Sequence, residues 1–314
     1  MKIYRDGSGS KLYMTCYKPV PSAQGMAIDG DRAFVLHDTG VCAVYDLISR
    51  DPRPVSVFPL GSYNAGRPTK DHLNHANSCM FGADHWKDNP IPLLYVTVGS
   101  GIGYDDDGYF YRCAVENVQQ RDDGSFCAQT VQTICYHPDG SLASGFEAPC
   151  WGCPCFLVDG DERFLYIFSA RYRTKRGCTP EGKENAYIIT KFNLPDPMQG
   201  GIIRLGPEDI LDQFSVSSDV MFTQGGTIFN GKLFYTFGYP NGDYPLRIMA
   251  FDLRKKILLA QAENMTAAFR REEIECCAVY RNMLLSNTSE GSIFSLEKEF
   301  ADLIKHDTDC DNKE

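Results

Sequence analysis

A chain of 314 residues with a formal net charge of −10 carries a negative field that repels phosphate backbones and anionic lipid, which argues against nucleic acid as a partner. Hydrophobic residues at 43% and charged residues at 23% are an ordinary globular balance, and no apolar run reaches the length of a membrane span or a secretory signal core. The expectation is a soluble, cytoplasmic, monomeric protein whose 13 cysteines, odd in number and placed in apolar runs (Cys16, Cys42, Cys79, Cys113, Cys127, Cys135), are mostly buried thiols.

In chain order, the first predicted element is a strand from Lys11 to Tyr17. Gln24 to Leu47 (QGMAIDGDRAFVLHDTGVCAVYDL) then sets a pattern: Gln-Gly, an apolar run, a turn at Asp29-Gly30-Asp31, a second run, a loop, and a third run closing on Tyr45-Asp46-Leu47. Asx-Gly turns between such runs signal hairpins. Val55 to Leu60 supplies a fourth strand. A divergent copy follows at Asn77 to Phe81, Leu93 to Val98 and Tyr109 to Val115, with Thr130 to Tyr136 as its fourth strand. The third copy takes Cys155 to Gly160, Arg163 to Phe168 and Tyr187 to Leu194, with Gly201 to Leu205 as its expected fourth strand. Gln224 to Leu253 (QGGTIFNGKLFYTFGYPNGDYPLRIMAFDL) repeats the first copy closely, including the Gln-Gly opening and an Asn230-Gly231 turn, and Ile257 to Ala260 completes it. The last copy, Cys277 to Tyr280, Asn282 to Ser286 and Gly291 to Leu296, lacks a fourth strand. Short helices are expected at Glu208 to Phe214 and Lys298 to Ile304, and a frayed charged end from His306 to Glu314.

Five such repeats predict an all-β, five-bladed β-propeller of four-stranded antiparallel blades, roughly 21–61, 75–137, 150–206, 222–262 and 273–298, in one domain over residues 1–314. The N-terminal strand, 11–18, is expected to complete the last blade and close the ring, which removes exposed sheet edges.

The first strand of each propeller blade lines the central channel, so the residues opening these strands converge at one end. Here they are Gln24, Asn77 preceded by His75, Trp151 near Cys153, Gln224, and Glu275 preceded by Glu273. Gln24, Asn77, Trp151 and Gln224 form the expected ligand-binding set: amides hydrogen-bond hydroxyls, and an aromatic ring covers the apolar face of a sugar. The structural alternative is that the glycines let strands crowd at the axis while the amides satisfy backbone groups. Glu273 and Glu275, two apart, share a strand face, where like charges raise one pKa. With His75 they are the candidate catalytic residues. Asp71, Glu147 and Asp219 precede other inner strands, so the sequence leaves open which second carboxylate would face them, as glycoside hydrolysis requires.

No cofactor is expected; a divalent metal held by His72 and His75, with Asp71 and His85 nearby, is the alternative. The run Cys150-Trp151-Gly152-Cys153-Pro154-Cys155 has neither the thioredoxin order nor a second zinc-ligand pair, and reads as small-residue packing rather than a thiolate cluster with Cys79, Cys276 and Cys277. Gly99 to Gly108 lacks the ligand register of a calcium loop, and Arg171 to Arg176 reads as a solvated basic loop.

The five-unit pattern resembles the five-bladed propellers that include the arabinanase and fructosidase glycoside hydrolases, in architecture only, since Gln24 stands where their first inner strand would open with Asp. The Gln-Gly openings, His75-Ala76-Asn77 and the Glu273 to Glu275 pair are similar to bacterial and phage surface propellers tied to glycan recognition. That resemblance implies a saccharide or other small polar ligand at one mouth of the channel. A glycan-cleaving hydrolase or lyase using Glu275, Glu273 and His75 is the first alternative, and a protein-interaction scaffold the second.

Overall fold

Each repeat folds into its own sheet, and the sheets stand radially around one axis as a five-bladed, all-β propeller. The computed structural model describes residues 1–63, 74–98, 112–136, 145–147, 151–171, 186–217, 222–240 and 244–305, with the backbone alone for 151–153. The N-terminal strands are β1 (Lys2–Arg5) and β2 (Ser10–Thr15). The first blade is β3 (Ala23–Asp29), β4 (Arg32–His37), β5 (Val41–Asp46) and β6 (Ser56–Pro59). The second is β7 (Cys79–His85), β8 (Pro92–Val98), β9 (Arg112–Gln120) and β10 (Phe126–Tyr136). The third is β11 (Trp151–Asp159), β12 (Phe164–Ala170), β13 (Ala186–Asn193) and β15 (Asp212–Ser217), with β14 (Gly201–Leu205) leaving it for another sheet. The fourth is β16 (Thr223–Phe229), β17 (Lys232–Phe237), β18 (Arg247–Asp252) and β19 (Ile257–Glu263). The fifth is β20 (Ile274–Tyr280), β21 (Met283–Thr288) and β22 (Ser292–Leu296), and β2 pairs antiparallel with β22 to close the ring as expected.

Turn chemistry starts the blades. In the fourth, Phe229 and Lys232 pair across Asn230 (φ 50°) and Gly231 (φ 66°), the two left-handed residues that a tight I′-type hairpin needs. Alternation then buries both faces of each sheet against its neighbours. Phe34 packs edge-on to Phe81 across the first seam, Phe168 stacks on Tyr235 at 4.0 Å across the third, and Met26, Val35, Cys276 and Leu285 fill the seam between the last blade and the first. Full burial of such aromatic and aliphatic side chains contributes roughly 1.5–3 kcal/mol each. The nine described cysteines are free thiols, all but Cys127 buried.

Two expectations need correction. Gly201–Leu205 is not the outer strand of the third blade: β14 crosses to the second blade and pairs parallel with β10, Gln132 opposite Gly201 through Tyr136 opposite Leu205. The outer strand of the third blade is β15, in the region expected to be helical. Only Pro207–Asp209 turns there, as one 3-10 turn whose entry is set by Pro207 and by the Gly206 N–H donating to Asp209. Beyond it Phe214 and Val216 alternate inward against the core, a period of two that favours a strand. The third blade therefore extends beyond residue 206, and each blade has its four antiparallel strands, with β14 a parallel addition to the second. β1 likewise adds a parallel fifth strand to the fourth blade, beside β19. The short helix near the C-terminus is present as α1 (Ala301–Ile304), while 306–314 lies outside the described residues.

Candidate functional site

The Gln-Gly openings are β-bulges. Ala23 pairs with His37 and Met26 with Val35, so three steps along β3 match two along β4 and the extra residue falls at Gln24-Gly25. The same slip falls at Gln224-Gly225 in β16, and in β20 at Glu275, between the pairs Ile274 with Thr288 and Cys276 with Asn287. Gln24, Gln224 and Glu275 thus occupy one structural position in three blades. A bulge re-aims the side chain it carries, here at one mouth of the axis.

Neighbouring blades hold these bulges in place. Thr236 Oγ1 lies 2.7 Å from the Gly225 carbonyl and 3.0 Å from the Glu275 carbonyl, tying the fourth bulge to the fifth. Asn287, in the matching place on β21, donates to the Gln24 carbonyl at 2.6 Å and ties the fifth to the first. Cys155 Sγ and the Tyr235 hydroxyl both donate to the Gln224 carbonyl, at 3.1 and 3.0 Å. Below the bulges the axis is packed. A Cβ on Gly225 would stand 2.8 Å from both the Asn77 carbonyl and Cys276 Sγ, and one on Gly25 would stand 2.8 Å from the Ala76 carbonyl. Ser78 Oγ meets the Gly226 backbone across the axis at 3.4 Å. The inner strands of opposite blades touch, and the glycines are what allow it.

Above this floor the acidic groups gather. Gln224 Nε2 donates to Glu273 at 3.0 Å and to the Gly238 carbonyl at 3.1 Å. His75 Nδ1 lies 2.7 Å from Asp38 Oδ1. Burial raises the Glu273 carboxyl above its ordinary value, with the Gln224 hydrogen bond and the His75 charge pulling the other way. Glu275 is 3% exposed. Burial pushes it well above the carboxylate range, and the Glu273 and Asp38 charges push in the same direction. The charges of Glu273 and Asp38 reach Glu275 and that of His75 reaches Glu273, so the four form one cluster.

The structure thus brings together Gln224, Glu273, Glu275 and His75 at the mouth. Gln24 sits in its own bulge, 5% exposed, with its Oε1 unpartnered among the described residues. Asn77 is 3% exposed, and its amide donates to Cys155 Sγ at 3.6 Å. Trp151 opens β11 by its backbone, and its side chain lies outside the described residues. A further aromatic group stands at Phe222, just before β16. Its ring lies 4.6 Å from Tyr244 and 6.0 Å from Tyr239.

Other expectations separate from the cluster. His85 ends β7 far from His75, bonds the Asn89 carbonyl, and exerts its charge on Asp29 at the opposite face. Glu147 is held by Arg171 through a forked ion pair. Asp71, His72, Cys150, Asp219, the 99–108 loop and 172–176 lie outside the described residues, and no group of His, Cys, Asp and Glu set to hold a metal ion occurs among those described. Cys79 and Cys276 meet near the axis, where burial pushes both thiols up, as small-residue packing would have it. Asp38 was missed by sequence reasoning; its only signal is the polar His37-Asp38-Thr39-Gly40 run where β4 ends.

No protein-family model matches the chain, and no curated protein matches it. Solved structures with some likeness include the glutaminyl cyclase of Myxococcus xanthus, at 11% identity and a TM-score of 0.49 over 94% of this chain and 96% of that one. The tail fibre of Staphylococcus aureus phage P68 gives 8% and 0.44 over 94% and 54%, and BamB from Moraxella catarrhalis 13% and 0.31 over 89% and 84%.

Proposed function

We propose that this mouth binds a small polar organic ligand of the hydroxyl- or amine-bearing class to which saccharides belong, with Gln24, Gln224, Glu273, Glu275 and the His75–Asp38 pair as its polar wall. Glu275 carries the reading. A carboxyl group 3% exposed is costly to ionise, because burial strips water from its charged form and the Glu273 and Asp38 charges oppose a further negative one. A polar ligand group seated against it would supply a hydrogen-bond partner in place of water. The five-bladed scaffold suits this role, since its inner strands deliver one side chain per blade to a common point.

The test is a thermal-shift panel of mono- and oligosaccharides and small amines on the purified protein, since a ligand that binds only the native state raises the midpoint. A shift lost in Gln24→Ala and Gln224→Ala supports the reading. A flat response across the panel rejects it and leaves the outer surface, as a protein-interaction scaffold, to account for the protein.

One further observation favours chemistry at the same place. Two carboxyl groups, of which Glu273 raises the pKa of Glu275, and a hydrogen-bonded His–Asp pair are the parts of an acid–base centre, with Glu275 as the protonated acid and Glu273 as the base. In that case Glu275→Gln keeps binding and abolishes turnover, whereas retained turnover removes Glu275 from the mechanism.

A further inference from the structure

We infer that the ligand of this mouth carries a cationic ammonium group, held between the carboxylates of Glu273 and Asp38 and the aromatic rings of Phe222, Tyr239 and Tyr244. The inference rests on the binding reading above and narrows its ligand class.

Phe222 and Tyr239 are 44% and 43% exposed and their rings lie 6.0 Å apart, with Tyr244 edge-on to Phe222 at 4.6 Å. Contiguous apolar rings on a surface mark a contact site more often than scattered ones do. Their position is specified by the backbone. Phe222 adopts φ 63°, which a bulky residue rarely does, and its carbonyl accepts the Gly238 N–H at 2.8 Å. The Tyr239 N–H donates to the Tyr244 carbonyl, also at 2.8 Å, which joins the other two rings.

The same strap reaches the acids. Gly238 offers its carbonyl to Gln224 Nε2, and that amide nitrogen is also bonded to Glu273. One amide therefore joins the backbone of the strap that carries the rings to the Glu273 carboxylate.

Charge decides what fits between. Among the described residues no lysine or arginine pairs with Asp38, Glu273 or Glu275. Lys18, on the neighbouring strand entry, is committed to the Ser289 carbonyl and to Glu290. Aromatic faces are themselves negative and attract ammonium groups. Asp38 has the His75 imidazole beside it, whereas the Glu273 carboxylate is bonded, among the described residues, only by the neutral Gln224 amide, so a neutral polyol would satisfy hydrogen bonds and leave that carboxylate without a paired cation. An alkylammonium or amino sugar satisfies both, its N–H or N–CH₃ groups meeting rings on one side and carboxylates on the other.

The experiment is a calorimetric titration of the full chain with choline and its uncharged isostere 3,3-dimethylbutan-1-ol, and with glucosamine and glucose. The cation of each pair should bind about tenfold more tightly than its neutral partner. Glu273→Gln, which keeps shape and removes charge, and Phe222→Leu, which removes the ring, should each erase most of that advantage while circular dichroism shows the same fold. Equal affinity within each pair, or an advantage untouched by both substitutions, overturns the inference. If neutral sugars then bind and lose affinity in Gln224→Ala, the binding site stands with a different ligand class. If none of the probes binds, both fall together.

Discussion

The side-chain amide of Gln224 donates to the Glu273 carboxylate at 3.0 Å across the seam between the fourth and fifth blades. The Gln-Gly opening of one blade therefore fixes the acid that precedes the inner strand of the next. Glu273 is half-buried, so the bond operates where water competes poorly. A double-mutant cycle of Gln224→Ala and Glu273→Ala, followed by urea unfolding, should give a coupling of about 1–2 kcal/mol. Strict additivity would mean that the two side chains do not support each other in solution.

Glu275 should set the pH dependence of stability. Its carboxyl has a folded pKa raised well above the unfolded reference of 4.5, first through burial and then through Glu273 and Asp38. A raised acid is bound to its proton more tightly in the native state, so its contribution is fully present below the unfolded value and is lost as pH rises through the folded one. Melting temperature should therefore fall as pH rises from about 5 towards neutrality and beyond, with Glu273 adding the same sign. Glu275→Gln is isosteric and cannot ionise, so it should flatten that fall and melt higher than the wild type at neutral pH. Parallel melting-temperature profiles for the two proteins would rule out an ionisable Glu275 as the cause.

Gly225→Ala tests the packed axis. The added methyl would stand 2.8 Å from the Asn77 carbonyl and 2.8 Å from Cys276 Sγ, where the backbone from the opposite blade has little room to withdraw. Overpacking of this kind costs about 1–3 kcal/mol. A urea midpoint equal to that of the wild type would show that the inner strands stand further apart than described here.

The sequence made the repeat legible because its signals are local. Gln-Gly bulges, Asx-Gly turns and period-two apolar runs each depend on neighbours in the chain, and they place Gln24, Gln224 and Glu275 in one register before any sheet is seen. Strand partnership is not local. Gly201–Leu205 has the apolar character of an outer strand, and nothing in those residues says that its hydrogen bonds go to β10 of the previous blade rather than to β13. Pro207 followed by two acids mimics a helix start, which hid β15. Asp38 went unseen because it reaches the cluster from the loop after a second strand, whereas only the openings of first strands were read as converging. Phe222, two residues before Gln224, escaped notice for the same reason, since it precedes the strand opening rather than forming it.

Thr236 and Asn287 occupy matching places on β17 and β21, and each reaches the carbonyl of the bulged residue in the next blade. If these contacts aim the bulges, removing one should loosen the mouth without loosening the blade. Thr236→Val preserves shape and deletes the hydroxyl that serves the Gly225 N–H, the Gly225 carbonyl and the Glu275 carbonyl. Leaving such buried backbone groups unpaired costs about 1–3 kcal/mol. Hydrogen exchange separates an aiming role from a general loss of stability. The amides of Gly225 and Glu275 should exchange faster in Thr236→Val, while those of β19, two strands away in the same sheet, keep their order of protection. Uniform acceleration across the fourth blade would mean that Thr236 stabilises the sheet as a whole, and that the bulge geometry belongs to the backbone alone.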